Sequence, residues 1–344
     1  MMKMIKAAVI GAGKIAERTH LPQYKELKNV EVAAICDINR KKAERLAKMF
    51  SIPAVYTDYK KMIKECGCEA VSVCTPNYLH APMSIFAAKN NMHVLVEKPM
   101  AMSVKEMKAM IAASKAAKKV LMVEQSHRFD PGHEVLKDIV DSGIIGKVVS
   151  VRGKLGHSGP EFWSDDSPWF FDEKKSGGGV TVDVGIHILD LIRFVTGKNV
   201  ASVSGYMANL VKKKAKLEDN VEAAIKFTDG TIGVYEASWT NSPYEVVVQV
   251  YGTKGKAMVN QSNYDPQRVR VWTVNPANPY NTVKEIRYKI PAKSRNTSPI
   301  AHFIDCVFNK KKCIIDGTEG MKSAAAVIAT RQSAKTGKPV KLTV

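Results

Sequence analysis

Along the first 125 residues, short apolar runs alternate with segments of helical period. "MIKAAVI" leads into a helix from Lys14 and "VEVAAICD" into one from Asn39. "EAVSVCTP" precedes a helix near Leu79, "MHVLVEKP" one from Ser103, and "KKVLMVEQ" closes the series. Runs of Val, Ile and Leu without polar alternation predict strands buried on both faces, and strands alternating with helices predict a parallel, doubly wound sheet. After Pro131 the rhythm changes. The spacing predicts a helix over about 132–142, a strand from Val148, an irregular loop over 157–179, and a helix opening at "VDVGIHILD", residues 182–190. From 200 to 290, strand-like runs are separated by turn signals such as Asp229-Gly230 and Gly252-Thr253-Lys254-Gly255. These are hairpin signatures, so the second sheet is expected to be largely antiparallel. Two helices, about 299–309 and 318–336, end the chain. The fold class is α/β followed by α+β, with a first domain over 1–125 and a second over 126–344. The last helix is free to pack back on the first domain.

Composition narrows the partners. Fifty-two Lys and Arg against 33 Asp and Glu give a net charge of +19. The lysines are spread through nearly every segment, their runs are short, and no aromatic-rich basic stretch accompanies them, so a solvated surface is expected and no nucleic-acid partner. No apolar span of membrane length or signal-peptide pattern is present, which points away from a membrane and to the cytoplasm. The six cysteines, at 36, 66, 68, 74, 306 and 313, show neither disulfide-framework nor zinc-ribbon spacing, and no metal is expected.

The first chemistry lies in "VIGAGKIA". Gly11 permits a tight turn, Gly13 lets backbone approach a pyrophosphate, and Lys14 and Ile15 open the helix whose amides face that group, with Ala16 small enough for helix–sheet packing. Asp37 ends the next strand, where a carboxylate can bind an adenosine ribose. It should repel a 2′-phosphate, favouring NAD, whereas Arg40 nearby keeps NADP open. Ligands of open parallel sheets sit outside the strand carboxyl ends. There "CTPNYLH" offers Thr75, Asn77 and His80, and "VLVEKP" offers Glu97 and Lys98, pinned by Pro99.

Taken together, these pieces resemble the glucose–fructose oxidoreductase / inositol dehydrogenase (Gfo/Idh/MocA) family along essentially the whole chain. The resemblance rests on the GxGxxA loop, "TPNYLH", "EKP", "RFDP" at Arg128–Pro131, "SGIIGKV", "GGGVTVDVGIHILDL", "DGTIG" and "GTKGKAMV". It implies a Rossmann domain plus an open-faced sheet through which such chains form homodimers or homotetramers. It also implies reversible hydride transfer between a nicotinamide and a secondary alcohol of a sugar or cyclitol. By motif, Lys98 corresponds to the lysine that contacts the reacting hydroxyl, and Asp183 and His187 to the DxxxH acid and general acid/base. The chemistry agrees: a hydroxyl that loses hydride must also lose its proton, and histidine titrates near neutrality without help. His187 is therefore read as proton acceptor and Lys98 as polarising group, with the reverse assignment as the alternative. Asp183, one turn earlier, is read as a substrate contact or an orienting acid, and Asp190 as its support. Gly185, inside the helix, calls for a reason such as close approach of a ligand or backbone, because glycine there costs about 1 kcal/mol relative to alanine.

For substrate contact the candidates are Arg128, His157 and Trp169, with Trp163, Asp165 and Asp166 in the same loop. Tyr235 and Trp239 share a strand face and suit either a pocket wall or a subunit interface. Two other readings stay open: a glycosidase that oxidises its substrate transiently with NAD, and a non-catalytic sugar sensor on the same fold.

Overall fold

The structure, a computed structural model, describes residues 4–162, 168–262, 268–275 and 278–343, with backbone alone over 278–283. It divides into two compact units. The first holds Met1–Gln125, Lys174–Gly177 and Asn296–Met321; the second holds Ser126–Glu173, Gly178–Arg295 and Lys322–Val344.

The first unit is built on six parallel strands: β1 (Ile5–Ile10), β2 (Val30–Cys36), β3 (Ala54–Tyr56), β4 (Ala70–Val73), β5 (His93–Val96) and β6 (Leu121–Val123). Their order is β3-β2-β1-β4-β5-β6. Chain order reverses between β1 and β4, the switch point at which doubly wound sheets bind ligands. β1, β4, β5 and β6 are buried almost throughout, as expected of strands covered on both sides. The edge strand β3 was not among the predicted ones. At three half-buried residues it carries too little apolar pattern to be seen.

The covering helices are α1 (Leu21–Lys25), α2 (Arg40–Phe50), α3 (Tyr59–Glu65), α4 (His80–Lys89) and α5 (Val104–Ala116). Local chemistry sets their starts. Asn39 accepts from the Lys42 amide, and Asp58 caps α3. Ser103 and Glu106 form a capping box, with the Glu106 amide donated to Ser103 Oγ and that hydroxyl donated back to Glu106. The helix after the glycine turn is interrupted by a π-helical segment, Ala16–His20.

The second unit carries α6 (Pro131–Asp141), begins its strands with β7 (Val148–Gly156), and passes through the single turns α7 (Glu173–Ser176, shared with the first unit) and α8 (Val180–Asp183) into α9 (Gly185–Thr196). β8 (Val200–Ala208), β9 (Asn220–Phe227), β10 (Ile232–Ser238), β11 (Glu245–Gly252), β12 (Gly255–Ser262), β13 (Val269–Asn275) and β14 (Asn278–Arg287) follow. Then come α10 (Pro299–Asn309) and α11 (Gly317–Thr336), and β15 (Val340–Lys341) completes a nine-stranded sheet. β7 and β10 pair in parallel and every other described pair in this sheet is antiparallel. The alternation is strict on β9: Val221, Ala223, Ile225 and Phe227 are buried while Glu222, Ala224 and Lys226 are exposed. One face is thus covered and the other left open. α9 lies close on the covered face, where a Cβ at Gly153 would come within 2.6 Å of Ile192. Among the described residues no helix is long and apolar enough to cross a membrane.

Candidate active site

The glycine turn after β1 is shaped by what surrounds it. Gly11 has φ +100°, and a Cβ there would lie 2.4 Å from the Cys74 carbonyl oxygen, so only glycine fits beside the end of β4. A Cβ at Gly13 would meet nothing within 4 Å. This open space above the loop is the cradle a pyrophosphate needs. Asp37 sits half-buried past the end of β2. It accepts the Ala12 amide on Oδ2 at 2.7 Å and the Asn39 amide on Oδ1 at 2.8 Å, which fixes its carboxylate against the loop. The Thr75 hydroxyl is buried at the end of β4 with no hydrogen-bond partner among the described residues, a polar group suited to a bound ligand. These features fit a dinucleotide. Lys14 lies 3.8 Å from Glu17, and Ile15 immediately precedes the π segment. Arg40 is exposed and paired with Glu44 at 2.8 Å.

Three residues expected at the cofactor are also held by internal hydrogen bonds. Glu97 is buried, its Oε1 2.8 Å from His20 Nε2 and its Oε2 accepting the Lys98 amide at 3.2 Å. Burial is the largest influence and pushes its pKa up, but the His20 hydrogen bond and the charges of His20, Lys98 and His80 together hold the carboxyl below its usual range. His20 also reaches Ser72 Oγ at 3.1 Å, and Tyr24 meets the same hydroxyl at 2.9 Å. Nothing in the sequence singled out His20, because a π-helical turn rather than regular helical spacing aims it at Ser72 of β4 and Glu97 after β5. His80 is fully buried, with its ring nitrogens 2.8 Å from the carbonyls of Pro99 and Thr75. Burial, partly offset by those carbonyls, lowers its pKa. Asn77 donates its amide to the Ser176 carbonyl at 2.7 Å. The net effect is a rigid base for Lys98, which is half-buried on a cis Lys98–Pro99 bond.

In the second unit the "VDVGIHILD" stretch is two helices, not one, with the break at Val184. Asp183 ends α8 and His187 stands in the first turn of α9. Asp183 Oδ2 accepts the Trp239 indole N–H at 3.0 Å, and His157 Nε2 lies 3.8 Å from the same oxygen. His157 Nδ1 accepts the Gly159 amide at 2.9 Å, so its proton sits on Nε2, toward Asp183. His187 is half-buried, with the His127 ring edge-on at 4.9 Å. His133 supports His127 from behind, at 5.7 Å between rings, and donates Nδ1–H to the His127 carbonyl at 2.8 Å. Burial lowers the His133 pKa, against the pull of Asp130. The sequence reading passed over His127. Its only signal was its position next to Arg128.

Several expectations need correction. Arg128 is not a substrate contact. Its Nε and Nη2 both donate to Asp190 at 2.7 Å, inside the unit. Asp190 supports Arg128 and accepts the Ser323 hydroxyl at 2.8 Å; it does not touch the DxxxH pair in any described contact. Gly185 has no close neighbour, since a Cβ there would meet Tyr235 only at an ordinary 3.6 Å. The demanding glycine is Gly179, where a Cβ would lie 2.1 Å from the Glu218 carbonyl oxygen. Tyr235 and Trp239 are buried within the second unit, and Tyr235 donates to Thr330 at 2.8 Å. Trp169 is half-buried and stacked on Phe170 at 4.0 Å. Trp163, Asp165 and Asp166 lie outside the described residues.

Residues 5–125 match the model of an oxidoreductase family with an NAD-binding Rossmann fold, and residues 133–258 match the GFO/IDH/MocA C-terminal domain. The two matches together span well over half of the chain. The chain belongs to the Gfo/Idh/MocA family. It is similar to the D-glucoside 3-dehydrogenase of Escherichia coli K12, at 27% identity over 98% of this chain and 97% of that one. It is equally similar to the scyllo-inositol 2-dehydrogenase (NAD(+)) of Bacillus subtilis 168, at 27% over 100% and 98%. Its fold is that of the aldose-aldose oxidoreductase of Caulobacter crescentus, with a TM-score of 0.84 and 24% identity over 99% of this chain and 100% of that one. The Gfo/Idh/MocA chain described here is therefore an oxidoreductase with an NAD-binding Rossmann domain.

Proposed function

We propose that this Gfo/Idh/MocA oxidoreductase oxidises a secondary hydroxyl of a sugar or cyclitol, with NAD as the partner, and runs the reaction in reverse on the ketone. The observation that carries this reading is the Asp183–His187 pair, with its acid fixed by Trp239 and its imidazole walled by His127. The relatives named for glucoside and inositol dehydrogenation support a polyhydroxylated ring as substrate. Bound NAD supplies the hydride acceptor. The protein residues handle the proton and the oxygen. His187 takes the hydroxyl proton, Lys98 polarises the same oxygen, and Asp183 hydrogen-bonds the substrate or orients His187. His157 and Trp169 contact the ring. Gly11, Gly13, Lys14, Ile15 and Thr75 hold the pyrophosphate side of the cofactor and Asp37 its ribose. The Asp37 carboxylate opposes a 2′-phosphate, and the Arg40 guanidinium is paired with Glu44, so NAD is preferred to NADP.

The test is an NADH-absorbance screen over sugars, cyclitols and sugar acids, run in parallel with NADP. Reduction of NAD by at least one ring polyol, faster than reduction of NADP, is expected. Release of an aglycone from glycosides without net NAD reduction would overturn the reading in favour of a glycosidase.

We also propose that the chain assembles as a homodimer or homotetramer through the open face of its nine-stranded sheet, in a reducing cytoplasm. Tyr206, Ile232 and Val234 are large apolar residues exposed on β8 and β10. All six cysteines are free. Light scattering should give a dimer or tetramer for the wild type and a monomer for Val234→Lys; a monomeric wild type would refute the assembly.

A further inference from the structure

The proposed reaction uses none of the polar groups at the other end of the first unit. There, on α10 and the turn after it, His302, Cys306 and Cys313 come together, all three buried. Positions 302 and 306 are one helical turn apart and share a face. α10 ends at Lys310 in the left-handed conformation, φ 52°, and the Lys311 amide folds back onto the Cys306 carbonyl at 3.1 Å. That reversal returns Cys313 to the two helix residues. The ligand atoms of the three lie within 4.8 Å of one another, and His302 Nε2 is 3.4 Å from Cys306 Sγ.

We infer that His302, Cys306 and Cys313 form a binding site for a zinc-like metal ion, with a structural role in the first unit. The donor types and their separation carry the inference. A tetrahedral ion with bonds of about 2.0–2.3 Å needs donors about 3.5–3.8 Å apart, within the spread found here. The Ile314 amide is donated to His302 Nε2 at 3.1 Å, so the imidazole already has its lone pair on the nitrogen that faces the sulfurs. A disulfide between the two cysteines would have no use for this third donor. On binding, both thiols release their protons to solvent, and the ion, two thiolates and a neutral imidazole sum to zero charge. A neutral complex suits a buried position, where an uncompensated charge does not. The imidazole lone pair turns from the Ile314 amide to the ion, so the turn yields slightly. Among the described residues the cluster has no fourth His, Cys, Asp or Glu, and water from an adjoining cleft takes that position. Cys306 stands on the wall of that cleft, with Glu69, His93 and Lys310.

The role follows from what the turn holds. Past Cys313, the Ile315 carbonyl accepts the Val123 amide at 3.1 Å and Asp316 bridges Met122, extending the sheet beyond β6. An ion at Cys313 anchors this added edge to α10. The cysteine spacing concealed the site, because its pattern is H-x3-C-x6-C with one ligand pair on a helix and no CxxC.

The experiment uses the full chain, stripped with chelator under reducing conditions and titrated with cobalt(II). One ion per chain is expected, with a thiolate-to-cobalt charge-transfer band and the visible bands of tetrahedral cobalt. Zinc should displace the cobalt and raise the midpoint of thermal unfolding. Cys306→Ser and His302→Gln, checked for folding by circular dichroism, should lose the bands, while Cys66→Ser keeps them. The wild-type titration is independent of how the variants fold. Absence of the bands in folded wild type, their survival in folded Cys306→Ser, or a Cys306–Cys313 disulfide in freshly purified protein would each overturn the site.

Discussion

Asp190→Ala is expected to destabilise the second unit by about 3–5 kcal/mol, the cost of removing one partner from a buried ion pair. Asp190 is 1% exposed and Arg128 4%. The pair is bidentate, so deleting the carboxylate strips two charge-assisted hydrogen bonds from a buried guanidinium. A second arginine is also involved. Arg193 donates to Ser323 at 2.7 Å, Ser323 donates to Asp190, and Arg193 Nη1 lies 4.0 Å from the carboxylate. The substitution therefore leaves two buried cations facing each other. Urea unfolding of the wild type, Asp190→Ala, Arg128→Met and the double variant measures this directly. The double variant should be less destabilised than the sum of the two singles, because it removes the Arg128 charge together with the carboxylate that balanced it. A loss below about 1 kcal/mol for Asp190→Ala would mean that water reaches the pair and that Arg128 is available after all for an anionic substrate.

That ion pair shows where sequence reading stops. Arg128 and Asp190 are 62 residues apart, and nothing in "RFDP" says whether a guanidinium faces a ligand or a carboxylate. The parallel sheet was legible because long apolar strands and capped helices repeat it five times over. The glycine turn was legible because its position after β1 and the acid at the end of β2 are set by chain geometry. Glu97 and His80 were assigned to the right strand ends, but their internal partners were not foreseen. A strand end tells where a residue stands, not which way its side chain turns. Glu97 turns inward because His20 is there, and His20 is there because the helix takes a π turn at Ala16–His20. The Asp183–His187 spacing suggested one continuous helix face. The break at Val184 makes the acid the last residue of one helix and the histidine part of the next, so Trp239, not helix periodicity, fixes the carboxylate. Trp239 was read only as sharing a strand face with Tyr235, and its partner lies 56 positions away.

His187→Ala should lower kcat by about 10²- to 10⁴-fold, the usual contribution of a positioned general base, while affinity for NAD stays nearly unchanged. The split follows from where the residue stands. The residues proposed to cradle the cofactor, Gly11, Gly13 and Asp37, belong to the first unit, whereas His187 belongs to the second. In the proposed mechanism, what the alanine removes is a proton acceptor at the reacting oxygen. The pH dependence of kcat/KM separates this role from a packing role. In the wild type the rate falls on the acid side as the acceptor becomes protonated. In His187→Ala that limb should disappear, and the remaining rate should climb with hydroxide. His127 offers a comparison, because it walls the imidazole at 4.9 Å without taking the proton. His127→Phe should keep the acid limb and lose much less rate. If the acid limb survives in His187→Ala and vanishes in Lys98→Met, the roles are reversed: Lys98 is the proton acceptor and His187 the group that polarises the oxygen. If His187→Ala turns over at nearly the wild-type rate, neither assignment of that histidine stands.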